Sequence, residues 1–211
     1  MKAIAHVIAL LAIAACGSLL EAANFGTVVI DAGHGGHDSG GQWGKVYEKH
    51  LALDTAVRLE SKLQRLGYKT VMTRRSDCFI SLPQRVTAGN RNDNAIFVSL
   101  HYNYTWKPEV SGLETFYYSE EGKRLAQCVH SSLIQRTHTV DRCAKYARYY
   151  VIRNSTLPAI LVEGGFVSNE SERNRMKSGW FRDTIAQGVV DGIQSYRSSS
   201  AFPIARLAYA R

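Results

Sequence analysis

Proline and cysteine are scarce in this chain, with four of each among 211 residues. So few prolines, alongside 17 glycines, exclude a collagen-like or proline-rich linker protein. Four cysteines are too few to build a disulfide scaffold. No repeat of about 20–50 residues runs along the chain, which argues against a solenoid. Acidic residues are outnumbered, 18 against 26 Lys and Arg, for a formal net charge of +8. That surplus favours anionic partners, or is simply a solvated basic surface. The cations are scattered, and neither an RNA-binding aromatic signature nor a helix-turn-helix pattern accompanies them, so nucleic acid is not an expected partner. Apolar residues, at 45%, are too abundant for a disordered chain, and the length suits one domain.

One apolar run stands out. Lys2 precedes an uncharged stretch from Ala3 to Leu20, closed by Glu21. A positive start, an apolar centre and small residues read as a secretory signal over residues 1–23. Ile13-Ala14-Ala15-Cys16 also resembles a lipobox, making Cys16 a candidate lipidation site. Ordinary signal-peptidase cleavage and an uncleaved membrane anchor are the alternatives. All three place the remainder outside the cytoplasm, either periplasmic or membrane-anchored. Cys78, Cys128 and Cys143 remain, spaced unlike any zinc finger or ribbon. An odd set allows one disulfide and one free thiol, or no disulfide at all, and buried or idle cysteines are the simpler expectation.

The domain is expected over residues 24–197, with a loose basic tail at 198–211. Thr27–Asp31, Lys69–Thr73, Ala95–Leu100, Leu113–Tyr118, Arg148–Ile152 and Ala159–Val162 read as strands. Helices are expected at Glu48–Leu66, Ser81–Asn92, Ser119–Gln135, Ser168–Lys177 and Phe181–Tyr196. In the first, Ala52, Ala56, Leu59, Leu63 and Leu66 fall on one face, and Gly67 sits where a C-terminal cap belongs. Ser119 is placed to cap the third. Strands alternating with helices imply an α/β layered domain with a mostly parallel sheet.

Ligands of such sheets bind outside the carboxyl ends of the strands. Three buried strands end in residues that ligate metals or move protons: TVVID is followed by Ala-Gly-His34, AIFVSL by His101 and ILV by Glu163. Glu48 opens the first helix just past the glycine-rich loop. Each residue has an ordinary explanation: a polar strand end, a helix-dipole contact worth about 0.3–1 kcal/mol, or an ion pair with an arginine. Together they make a set of two imidazoles and a carboxylate that suits a hydrolytic Zn²⁺ site, with a further carboxylate to shuttle the proton. No His-Glu-x-x-His sequence is present, so a thermolysin-like helix is excluded. No Ser-x-x-Lys is present, so a penicillin-binding serine mechanism has no support.

Four segments carry a family resemblance: VVIDAGHGGHDSG at Val28–Gly40, EKHLAL at Glu48–Leu53, FVSLHYN at Phe97–Asn103 and LPAILVEGGFVSN at Leu157–Asn169. Over about residues 26–197 the sequence resembles the zinc-dependent N-acetylmuramoyl-L-alanine amidases of the AmiA and AmiC type. The resemblance implies His34, Glu48 and His101 as zinc ligands and Glu163 as the catalytic carboxylate. It implies peptidoglycan or muropeptide as substrate, and a sheet of about six strands flanked by helices. Arg74, Asn103 and Arg153 are further candidates for substrate contact. Ala32 stands where the family often has Pro. Tyr102 and Tyr104 replace smaller residues and are expected to line or narrow the cleft. Regulated members carry a blocking helical insert between the second His motif and the final Glu motif. Here that interval reads as ordinary strand and helix, so the chain resembles the lean single-domain members, the chlamydial AmiA type among them. A monomer active without an activator is expected. A stem-peptide zinc carboxypeptidase and a non-catalytic wall-binding lipoprotein are the alternatives.

Overall fold

The computed structural model describes residues 25–199. The expected export signal and the Cys16 lipidation site lie outside the described residues, as does the tail from residue 200 on. In chain order the elements are β1 (Thr27–Ala32), a small hairpin of β2 (Gln42–Trp43) and β3 (Val46–Tyr47), α1 (Glu48–Arg65), β4 (Lys69–Met72), α2 (Leu82–Asn90), β5 (Ala95–Asn103), β6 (Leu113–Tyr117), α3 (Glu120–Thr137), β7 (Asp141–Tyr146), α4 (Tyr150–Arg153), β8 (Ala159–Phe166), α5 (Glu170–Lys177) and α6 (Gly179–Ser199). The main sheet has the order β4-β1-β5-β8-β6-β7. β4, β1, β5 and β8 run parallel, β6 is antiparallel to β8, and β7 is parallel to β6. The expected α/β layering with a six-stranded, mostly parallel sheet is what the chain forms.

Successive strand residues point to opposite faces, and the core divides accordingly. Val28 and Ile30 of β1, Val98, Leu100 and Tyr102 of β5, and Ile160 and Val162 of β8 join the larger cluster with α1, α3 and α6. Val29, Phe97 and Leu161 face the other way, into a smaller cluster with Val151 and Ile152 of α4. That second face is covered by the two short helices α2 and α4. Asp31, Ser99, His101 and Glu163 share its parity, so the polar residues belong to the thinly covered face.

Helix ends follow the sequence. The Ser119 hydroxyl accepts from Gly122 N and caps α3. Ser81 and Gln84 form a capping box on α2. Gly67 takes a φ of 84° just beyond α1. Leu66, expected on the buried stripe of α1, is 49% exposed because the helix has ended there. Arg148–Ile152, expected as a strand, instead leads into the single turn of α4. Val151 and Ile152 are both buried, and a helical turn packs two consecutive apolar residues on one side where a strand would separate them. The sixth strand is β7, whose sequence DRCAKY is partly to fully exposed at the sheet edge and has no apolar alternation. α6 continues through Ser199, beyond the expected domain end. Cys78, Cys128 and Cys143 are free thiols.

Candidate metal centre and its cleft

The loop after β1 holds His34 in left-handed backbone, at a φ of 57°. A non-glycine residue there costs energy, of order 1–3 kcal/mol, and must be held in place. Two buried arginines hold it. Arg85 donates to the His34 carbonyl at 2.7 Å and to the Ala32 carbonyl at 2.6 Å, and pairs with the Asp31 carboxylate at 2.7 Å. Arg74 donates to the carbonyls of Ala32, Gly33, Lys49 and Ser76. Asp31 is fully buried and also accepts from Ser99 and Thr73. Burial pushes its carboxyl up, but the Arg85 guanidinium and the Ser99 hydroxyl outweigh that and hold it below the usual carboxylate range.

His34 Nδ1 lies 2.8 Å from Asp38 Oδ2, which fixes the ring and leaves Nε2 facing Glu48 Oε1 at 3.1 Å. Glu48 is the first residue of α1. Its Oε2 accepts from Gly41 N at 2.7 Å, and its Oε1 accepts from Tyr102 N at 3.0 Å. The same Oε1 is 2.8 Å from His101 Nδ1. The His34, Glu48 and His101 donor atoms all lie within 4.8 Å of one another, close enough to hold one metal ion. Burial pushes Glu48 up, yet its contacts with His101 and His34 prevail and hold it far below the usual range. His34 is raised: burial opposes its charge, and Glu48 and Asp38 more than compensate. The two imidazoles meet edge to face, centroids 4.8 Å apart. Gly33 makes this approach possible, since a Cβ there would sit 2.4 Å from His101 Cε1.

Glu163 stands beside His101 in the β5–β8 register and beside Glu114 in the β6–β8 register. Its side chain is buried, and among the described residues its Oε2 is the buried side-chain polar atom with no hydrogen-bond partner. The ion pair with an arginine that would have made it purely structural is not formed. Burial raises its pKa well above the ordinary value, and the negative charges of Glu48 and Glu114 add to that.

The other expected contacts fall elsewhere. Arg74 is buried, its guanidinium committed to backbone carbonyls, so it shapes the loop from beneath. Asn103 Nδ2 donates to Glu114 Oε2 at 3.0 Å and its Oδ1 accepts from Tyr104 N, which ties it to the strand ends. Arg153 is exposed at the end of α4 and is not among the residues lining the cleft. Tyr102 does not line the cleft either. It points into the larger core, 1% exposed, with its hydroxyl 2.6 Å from Thr55 Oγ1. Tyr104 packs against Gly41 and meets Trp106 edge to face.

Sequence reading missed Asp31, Asp38, Arg85 and Glu114. Glu114 is buried and paired with Arg142 at 2.9 Å and Lys145 at 2.7 Å, which hold it ionised. A carboxylate inside an otherwise apolar strand, LETFY, was the available signal. The cleft beside His34 and His101 is a cavity of about 420 Å³, walled by Phe79, Ile80, Leu82, Tyr149 and Val151. A titratable cluster at the mouth of an apolar cavity has the form of an enzyme active site.

Known proteins resemble this chain in sequence and in fold. A family described as N-acetylmuramoyl-L-alanine amidase matches residues 28–195. The chain is 36% identical over 190 residues to the uncharacterized protein YqiI of Bacillus subtilis, covering 88% of this chain and 92% of YqiI. It is also 36% identical over 174 residues to the B. subtilis N-acetylmuramoyl-L-alanine amidase LytC, covering 81% of this chain and 35% of LytC. Among solved structures, an N-acetylmuramoyl-L-alanine amidase from Clostridium difficile 630 superposes with a TM-score of 0.80 at 35% identity, covering 83% of this chain and 98% of that one. The chain belongs to the N-acetylmuramoyl-L-alanine amidase family.

Proposed function

We propose that this protein is a zinc-dependent amidase. It hydrolyses the bond between the lactyl group of N-acetylmuramic acid and the L-alanine of the peptidoglycan stem peptide. The observation that carries the reading is the convergence of His34, Glu48 and His101 next to an unpartnered, buried carboxylate oxygen of Glu163. Two imidazole nitrogens and one carboxylate oxygen are a donor set that zinc takes in hydrolases, so His34, Glu48 and His101 would hold it. Bound zinc supplies Lewis acidity, which polarises the amide carbonyl and makes water a competent nucleophile near neutral pH.

The chain's own residues do the rest. Glu163 Oε2, free of other partners, accepts the proton from water and returns it to the departing amine nitrogen. Asp38 fixes the His34 ring, and the Gly41 and Tyr102 amides fix Glu48. The apolar walls of the cleft beside His34 and His101 offer a surface of low polarity next to the reaction centre. Between His101 and Glu163 the chain is taken up by β6, α3, β7 and α4, all packed into the fold. This supports an enzyme that lacks a blocking insert and works without an activator; the reading takes it as a monomer. The reading includes export directed by residues 1–23, with periplasmic or membrane-anchored action and a lipid on Cys16 as the candidate anchor.

The test is mass spectrometry of purified muropeptides incubated with the protein, with and without chelator. Intact stem peptides with a free L-alanine N-terminus, lost with chelator and restored by zinc, are the expected products. Release of a terminal amino acid would reassign the enzyme as a carboxypeptidase. Wall binding with no product would reassign it as a binding lipoprotein.

A further inference from the structure

A second concavity, of about 600 Å³, lies outside the apolar cleft and is lined by Trp43, Pro108, Ser168, Asn169, Arg173 and Asn174, among others. It is built from the same chain segments that present the metal-centre residues. Trp43 is two residues beyond Gly41, whose amide holds Glu48. Pro108 follows β5, which carries His101. Ser168 follows β8, which carries Glu163, and its hydroxyl accepts from Thr105 N. Gly41 lies against Glu48, Tyr104 and Val167, so the groove is built on the residues next to those that pack around Glu48.

Its chemistry differs from that of the apolar cleft. Trp43 is 45% exposed, yet its indole is held in place. The Arg173 guanidinium lies over the ring at 5.1 Å from the centroid. Arg173 is itself buried and anchored on the carbonyls of Val167 and Ser168. An indole fixed this way keeps a flat apolar surface in water without the entropic cost of ordering it on binding. Around it stand the hydroxyl and amide side chains of Ser171 and Asn174 and the carboxylates of Glu109 and Glu170. A pyranose ring offers the complement, with an apolar C–H face for the indole and a rim of hydroxyls that donate to carboxylates. An acidic stem peptide would meet Glu109 and Glu170 as like charges.

We propose that this groove is a saccharide subsite, centred on Trp43, for N-acetylated sugars of the glycan flanking the scissile amide. The proposal rests on the amidase reading for its substrate, but its binding test does not need turnover. The chain has three tryptophans, and Trp106 and Trp180 are 89% and 73% exposed. A Trp106→Phe, Trp180→Phe protein thus keeps Trp43 as its only indole and should fold. Titration with the neutral tetramer of N-acetylglucosamine should give a saturable change in Trp43 emission. Calorimetry should show about a tenfold loss of affinity in Trp43→Ala, equivalent to about 1.4 kcal/mol, with most of it recovered in Trp43→Phe. On intact wall, Trp43→Ala should raise KM about tenfold. On a single N-acetylmuramoyl-peptide with no neighbouring sugar, it should change kcat/KM less than about twofold, because remote binding energy is lost only where the remote group exists. No saturation with the tetramer, unchanged affinity in Trp43→Ala, equal kinetic losses on both substrates, or saturation by free stem peptide instead would each overturn the subsite. Sugar binding without muropeptide hydrolysis would sink the amidase reading and leave the subsite standing.

Discussion

Replacing Arg85 with Met removes one half of a charge pair that is shut away from water. Arg85 and Asp31 are 3% and 0% exposed. The guanidinium makes four hydrogen bonds: to Asp31 and to the carbonyls of Ile80, Ala32 and His34. Methionine matches much of its length but leaves a buried carboxylate with only the Ser99 and Thr73 hydroxyls. Breaking such a pair typically costs about 3–5 kcal/mol, and that is the loss expected by urea unfolding at pH 7. The pH dependence has a definite sign. In the intact protein Asp31 is held below its ordinary value of 3.8. Its contribution is therefore present above that pH and is lost as the pH falls through the folded value. Without Arg85, burial dominates and pushes Asp31 up, so protonation relieves the variant. The difference between the two proteins should shrink as the pH falls toward the carboxylate range. An Asp31→Asn, Arg85→Met double variant should recover part of the loss at pH 7. A cost under about 1 kcal/mol at pH 7, or one that grows on acidification, would refute the reasoning.

Three further outcomes are expected. Gly33→Ala places a methyl 2.4 Å from His101 Cε1, so zinc content and turnover should fall together while circular dichroism stays near wild type. Tyr102→Phe deletes a buried hydrogen bond to Thr55 and should cost about 1 kcal/mol on thermal unfolding, with kcat and KM unmoved; a change in KM would return Tyr102 to the cleft. In the metal-free protein, the raised pKa of Glu163 means that its ionised form destabilises the fold as the pH climbs above 4.5. Glu163→Gln should therefore be more stable than wild type at neutral pH, with the gain vanishing at about pH 4.5 and below, followed by denaturant titration across that range.

The strand ends of β1, β5 and β8 were legible because each is a continuous apolar run that stops at a polar residue. A buried parallel strand can only look like that, and the sheet then brings the stops together. Glu48 was legible from its place at the start of a strongly patterned helix. β7 was not, because an edge strand with one neighbour needs no apolar alternation and DRCAKY has none. α4 was misread because Val151 and Ile152 favour strands locally, whereas burial of both on one side of a single turn decides the outcome. The two arginines beneath the His34 loop were the least legible. Arg74 looked like a substrate contact, and nothing local distinguishes a solvated arginine from one whose guanidinium donates four hydrogen bonds to the carbonyls around a strained loop. Tyr102 was misassigned for a related reason. It neighbours His101 in sequence, but adjacent strand residues point to opposite faces, and alternation sends it into the core.

The central claim is that His34, Glu48 and His101 hold the metal while Glu163 moves the proton. Zinc content and amidase turnover measured on the same preparation of Glu163→Gln test it most directly. Zinc should be bound as in wild type and turnover reduced by about 10²–10⁴-fold, the usual contribution of a positioned acid–base group. Turnover within about tenfold of wild type would contradict the role of Glu163, and loss of zinc would make it a ligand instead.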